Sequence, residues 1–161
     1  MRKLFILIGL FIAISLSGQA VKTPVLYAQS SGPTYGPEII TNTSFDANIT
    51  GWYNGGGWAW NAGSGGVALH TAGTAGSLTE LDAGLVVGIT YHFVFTIGGR
   101  TAGTLQARAG NASGGWDIAR NTNDTFIVDL TVAVGGNSVI YFYADITFDG
   151  WIDNLSVKEV L

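Results

Sequence analysis

From Tyr91 to Ile97 the chain alternates strictly: Tyr91, Phe93, Phe95 and Ile97 fall on one side of an extended segment, and His92, Val94 and Thr96 fall on the other. That is the period of a strand; a helix would repeat its apolar stripe about every 3.6 residues. The alternation returns at Leu105 and Ala107 against Gln106 and Arg108. It returns again at Val128, Leu130 and Val132 against Ile127, Asp129 and Thr131, and at Ile140, Phe142 and Ala144 against Tyr141, Tyr143 and Asp145. Each run has an apolar side for a core and a second, mixed side, as in two antiparallel sheets packed face to face. The expected strands are Ile39–Asn42, Gly51–Asn54, Trp58–Asn61, Val67–Thr71, Leu78–Asp82, Ile89–Gly98, Gly103–Ala109, Thr125–Val134, Ser138–Thr147 and Trp151–Val160. Glycine-rich turns separate them at Asn54-Gly55-Gly56-Gly57, Gly98-Gly99, Ser113-Gly114-Gly115 and Gly135-Gly136-Asn137, the last being the clearest hairpin. No amphipathic stretch carries helix caps, so the fold class is all-β, a two-sheet antiparallel β-sandwich.

The first residues stand outside this pattern. Arg2 and Lys3 precede an apolar run, Leu4 to Leu16, and Ser17-Gly18-Gln19-Ala20 supplies a small-residue end. This is the layout of a secretory signal peptide over residues 1–20, with cleavage after Ala20 or as late as Ala28. The run is shorter than the roughly 20 apolar residues a spanning helix needs, so no membrane partner is expected once it is removed. Residues 21–37 show no period and carry Ser30-Ser31-Gly32-Pro33 and Gly36-Pro37, which reads as a linker. The single domain expected is 38–161.

Composition excludes several kinds of chemistry. The formal charge is −4, and loss of Arg2 and Lys3 with the leader takes it to −6. Arg100, Arg108 and Arg120 are scattered, so there is no basic footprint for nucleic acid. Cysteine is absent, and two histidines, His70 and His92, supply neither a zinc shell nor the base of a nucleophilic site. Asp129 and Asp145 are the one carboxylate pair worth weighing for glycoside hydrolysis, against the simpler reading of solvated strand residues. No enzymatic activity is expected. Oxygen-rich turns at Thr43-Ser44-Phe45-Asp46 and Asp149-Gly150-Trp151-Ile152-Asp153 suit a hard cation such as calcium. They equally suit turns capped by their own Asp side chains.

Aromatic residues raise a different possibility, because their faces stack on the apolar faces of sugar rings. Trp52 reads as core. Trp58 and Trp60 are two apart and share one strand face, where core packing and a ligand platform both remain open. Trp116 falls in the Gly-flanked Ser113-Gly114-Gly115-Trp116-Asp117 segment, read as a loop, where a large aromatic calls for a reason. Tyr141 and Tyr143 share a face, as do Gln106 and Arg108; if their strands are neighbours they form one polar and aromatic surface.

Three stretches carry a resemblance. The opening Glu38-Ile39-Ile40-Thr41-Asn42-Thr43-Ser44-Phe45-Asp46 with Gly51-Trp52, the middle Gly88-Ile89-Thr90-Tyr91 with Phe93 and Phe95, and the closing Gly150-Trp151-Ile152-Asp153-Asn154-Leu155-Ser156-Val157 resemble galactose-binding-like jelly rolls. The nearest pattern is that of family 4, 9 and 22 carbohydrate-binding modules. The resemblance covers about residues 38–160 and implies a jelly-roll sandwich whose two chain ends lie side by side. It further implies a structural calcium between those ends, with Ser44, Gly66 and Asp153 as ligands and Asp46 beside them. It implies glycan binding, on a polar and aromatic sheet face or a loop, for which Trp58, Trp60, Gln106, Arg108, Trp116, Tyr141 and Tyr143 are the candidates. The expected function is a secreted or cell-surface carbohydrate-binding module whose partner is a polysaccharide or other glycan. The alternative is a structural or adhesion sandwich of a virion, surface layer or extracellular assembly, with self-association as its mark.

Overall fold

The computed structural model describes residues 32–110, 115–133 and 138–161. The signal segment and the Gly135-Gly136-Asn137 turn lie outside the described residues. Eleven strands are present among them: β1 (Tyr35–Glu38), β2 (Trp52–Asn54), β3 (Trp58–Asn61), β4 (Val67–His70), β5 (Gly76–Glu80), β6 (Thr90–Ala102), β7 (Leu105–Ala109), β8 (Gly115–Trp116), β9 (Asp124–Thr131), β10 (Ile140–Ala144) and β11 (Asp149–Val160). One sheet has six strands, ordered β3-β4-β11-β6-β9 with β1 also on β11, and the other has five, ordered β2-β5-β10-β7-β8. All pairings are antiparallel, and the two sheets form a sandwich.

The alternation read from the sequence fixes the faces. Tyr91, Phe93, Phe95, Ile97, Leu105, Ala107, Ile140, Phe142 and Ala144 are all buried. Phe95 packs between Phe126 (ring centroids 5.4 Å apart) and Phe142 (5.3 Å), joining the sheets through aromatic contacts. Trp52 continues the cluster, 6.0 Å from Phe142 and 5.9 Å from Phe45, and its indole N–H donates to the Thr41 carbonyl. The chain ends do lie side by side: Tyr35 pairs with Val160, Glu38 with Lys158, and the Leu155 amide donates to the Thr43 carbonyl at 2.7 Å.

Several boundaries differ from expectation. The first strand is β1, four residues earlier than Ile39–Asn42, and its first three residues fall in the stretch read as linker. Pro37 is tolerated there because β1 is an edge strand, where a missing N–H costs no ladder bond. Past Ile39 the polar run makes turns instead: the Asn42 amide donates to the carbonyls of Asn48 (2.9 Å) and Thr50 (3.0 Å), with Asn42 and Phe45 at positive φ. Such side-chain bonds compete with a ladder. Gly98-Gly99 is not a turn but the interior of β6, and a Cβ on Gly98 would fall 2.0 Å from the Trp151 ring. The indole lies on bare backbone, so the glycines are there for close approach. The turn comes at Gly103, with φ +74 and the Phe148 backbone 2.1 Å from where a Cβ would be.

The turn after β10 is held by Asp145. One carboxylate oxygen accepts from the Thr104 amide (2.7 Å) and hydroxyl (2.6 Å), the other from the amide and hydroxyl of Thr147 (2.7 Å each). Burial alone would raise this carboxyl, but the four hydrogen bonds win and hold it at about 2, below its ordinary 3.8. A group depressed on folding contributes stability that is present above its unfolded value and drains as pH falls through the folded one. Asp145→Asn keeps only one acceptor oxygen. It is therefore expected to be less stable at neutral pH and to show a flatter stability profile between about pH 4 and 2. Denaturant melts across that range check this; an unchanged acid slope would contradict it.

Candidate functional site

The outer face of the five-stranded sheet gathers most of the expected site. Register places Tyr53 opposite Thr79, Thr79 opposite Tyr141, Tyr141 opposite Arg108 and Arg108 opposite Trp116. One lateral row thus crosses all five strands, roughly 19 Å at 4.7–4.9 Å per strand spacing. A second row runs Ser77, Tyr143, Gln106. Strand alternation turns these side chains away from Leu78, Phe142 and Ala107, which are fully buried on the opposite side. Tyr53 is 64 % exposed and Trp116 43 %, whereas Thr79 is closed over by its neighbours.

Arg108 is the centre of this face. Its guanidinium carbon lies 3.3 Å from the Trp116 ring centroid and 4.4 Å from that of Tyr143, so the cation is interleaved between two rings. Burial pushes the guanidinium below its ordinary value, while the fields of Tyr143 and Tyr141 pull it back; it stays charged at neutral pH. Its hydrogen bonding is sparse. Nη2 donates to Gln106 Oε1 at 3.4 Å, and Nε is buried with no partner. Gln106 in turn donates to the Asp117 carbonyl at 3.3 Å.

Trp116 is not in an irregular loop. It forms β8 against Arg108, and the next residues fasten it there. The Asp117 amide donates to the Ala107 carbonyl, and the buried Asp117 carboxylate takes a two-pronged bond from Arg120 at 2.6 and 2.7 Å. The Arg120 backbone bridges to Leu105 in both directions. A fork-on-carboxylate pair of this kind fixes orientation as well as energy. The Trp116 position is therefore set by its chain neighbours, which no local periodicity announces.

Trp58 and Trp60 belong elsewhere. They sit on β3, at the edge of the other sheet, and register puts both on its inner side with Ala68. Trp58 is 4 % exposed, donates to the Gly76 carbonyl at 3.1 Å and packs on His70 at 5.1 Å, so it is core and not a platform. Trp60 is at the rim, 37 % exposed, its N–H tied to the Phe45 carbonyl at 2.7 Å, and does not join the candidate face. The residue that sequence reasoning passed over is Tyr53. Its alternation with the buried Trp52 was the available signal.

Asp129 and Asp145 do not form a pair. Asp129 is on β9, hydrogen-bonded to His92 Nδ1 at 2.7 Å, and Asp145 follows β10 in the other sheet.

Ser44, Asp46, Gly66 and Asp153 do come together. Ser44 donates to the Asp46 carboxylate at 2.8 Å. Gly66, at φ +90, lies against the Asp46 backbone so closely that a Cβ would be 2.6 Å from the Asp46 carbonyl oxygen. The Asp153 carboxyl is raised by burial, partly offset by the Asn154 amide, and raised further by the charge of Asp46. One Asp153 oxygen, Oδ1, is buried without a partner. A hard cation's donor types are present here, with an orphaned oxygen among them. No group of three or more His, Asp or Glu side chains gathers for a metal among the described residues, so a cation here depends on backbone oxygens as well.

No protein-family model and no curated protein matches the sequence. Solved structures do. The enzymatically active domain of tailspike protein 4 of bacteriophage CBA120 superposes with a TM-score of 0.50 at 18% identity, over 76% of this chain. The chain spans 21% of that solved domain's length, and the likeness is one of fold. Family 29 carbohydrate-binding modules are also similar. A variant complexed with cellohexaose has a TM-score of 0.47 at 17% identity, covering 79% of this chain and 91% of that one. Another, complexed with mannohexaose, has a TM-score of 0.45 at 20% identity, covering 79% and 92%.

Proposed function

We propose that this chain is a non-catalytic glycan-binding module, exported by its N-terminal segment, whose site is the outer face of the five-stranded sheet. The observation that carries the reading is the lateral row Tyr53, Thr79, Tyr141, Arg108, Trp116. Rings spaced along a sheet offer stacking surfaces for successive sugar units. The Gln106 amide, Ser77 and the tyrosine hydroxyls beside them suit sugar hydroxyl groups. An extended polysaccharide lying across the strands is the ligand shape that such a row accommodates.

Calcium belongs to this proposal as a structural ion. Asp153, Asp46 and backbone oxygen at Ser44 and Gly66 would hold it, neutralising two carboxylates and tying the first turn of the sandwich to β11.

The test is a glycan array on the secreted protein, followed by isothermal titration of the best ligand. Tyr143→Ala and Tyr53→Ala are each expected to weaken binding at least tenfold, about 1.4 kcal/mol. Tyr53→Ala is expected to leave the melting temperature nearly unchanged, because its side chain is mostly in solvent. If both variants bind like wild type, the site is misplaced. If wild type binds no glycan and forms stable oligomers on size exclusion, the chain is a structural or adhesion unit instead.

A further inference from the structure

The glycan reading leaves Arg108 unexplained, and the inference that follows rests on that reading. Only four cationic residues lie beyond residue 31: Arg100, Arg108, Arg120 and Lys158. Arg120 is neutralised by Asp117 at 2.6 Å, and Arg100 donates through Nε to the Gly103 carbonyl at 2.8 Å. Arg108 has no carboxylate partner among the described residues. Asp117, next in the chain to Trp116, is already committed to Arg120.

A half-buried guanidinium that has lost water on both faces is costly unless something replaces the lost hydration. Here the rings of Trp116 and Tyr143 lie against the guanidinium, and cation–ring attraction replaces only part of the lost hydration. The in-plane donors are sparsely used: Nη2 makes one long contact to Gln106, and Nε is buried without a partner, so the edge a ligand can reach is that of the two Nη atoms. A neutral sugar hydroxyl would add a single weak bond. An anionic oxygen pair in the guanidinium plane would add charge-assisted, two-pronged bonds of about twice the strength. The rings hold the plane fixed, so less side-chain freedom remains to be lost on binding.

We infer that the ligand is a glycan carrying an anionic group, seated in the plane of the Arg108 guanidinium between Trp116 and Tyr143. The group is a uronic acid carboxylate or a sulfate ester, which share this recognition chemistry.

The experiment measures a ratio. Oligomers of galacturonate, glucuronate and mannuronate are each titrated beside their carboxyl-reduced neutral forms, and sulfated glycans beside their desulfated forms. At least one acidic member is expected to bind wild type tenfold or more tightly than its neutral twin. The preference should shrink as salt is raised, though less than for a fully exposed ion pair. Arg108→Gln is expected to bring that ratio to about one, and Arg108→Lys, which keeps the charge but not the fork, to give an intermediate ratio. Melts of each variant confirm folding. The carboxyl-reduced and desulfated arms tell which anion is read. Equal affinity for an acidic glycan and its neutral twin overturns this inference while leaving the glycan site intact. So does an acidic preference that survives in Arg108→Gln. Absence of binding to every glycan, acidic or neutral, removes the glycan reading itself and this inference with it.

Discussion

Trp52→Ala is expected to lower folding stability by about 3–5 kcal/mol, the range for removing a buried large aromatic. Trp52 is 6 % exposed and wedged between Phe45 and Phe142. Its loss leaves a cavity where the first turn of the domain meets the central aromatic cluster. It also orphans the Thr41 carbonyl, which accepts its indole N–H at 3.0 Å. Thr41 in turn donates to Glu80, whose carboxyl is raised by burial and lowered in part by that hydroxyl. Disorder at Thr41 would therefore expose a buried acid as well. Trp52→Phe keeps most of the volume and loses the hydrogen bond, so it should fall between wild type and the alanine variant. Urea melts decide the matter: a midpoint within error of wild type for Trp52→Ala would mean the ring is not seated as described.

Calcium removal is the second large effect expected. An ion that binds only the folded chain stabilises it by about 2.7 kcal/mol at a hundredfold excess over its dissociation constant. In a domain of this size that is on the order of 10 °C in melting temperature. Chelator should lower the melt by that order, and calcium, not magnesium, should restore it, because carboxylate and backbone oxygens drawn from separate turns suit calcium's variable coordination better than magnesium's strict octahedron. Asp153→Asn separates this from a general salt effect. With calcium present it should be the less stable protein. In chelator the order should level or reverse, because wild type then keeps an orphaned carboxylate beside Asp46. Identical melts of wild type with and without chelator would remove calcium from the description.

Much of this architecture was legible because strand alternation is a local property. Tyr141 and Tyr143, and Gln106 and Arg108, had to share faces once their strands existed. Only the adjacency of β7 and β10 was open, and the register Tyr141 to Arg108 closes it. What escaped depended on distant partners. Trp58 and Trp60 look alike in sequence, yet one lies against His70 and the other at the rim, because only the first is covered by the opposite layer. Gly36-Pro37 reads as a break, yet it is strand because β11 lies alongside. Trp116 reads as loop because β8 is two residues long and is held by Asp117 and Arg120, not by periodicity. Arg108 was read as one polar side chain among several. Its insertion between two rings follows from three strands meeting, which no single segment encodes.

The position of β11 has a consequence for how the molecule comes into being. This strand, last in chain order, lies between β4 and β6 and also holds β1. Without Asp149–Val160, β3 and β4 make one two-stranded ribbon, β6 and β9 make another, and no strand pairing joins them. Isolated ribbons of that size are marginal in water. Neither ribbon is expected to persist by itself, so this sheet is expected to form only with Asp149–Val160 in place. A chain cut before Asp149 is therefore expected to lose this whole sheet and not one strand of it, because β11 pairs with β1, β4 and β6 at sequence separations that span the domain.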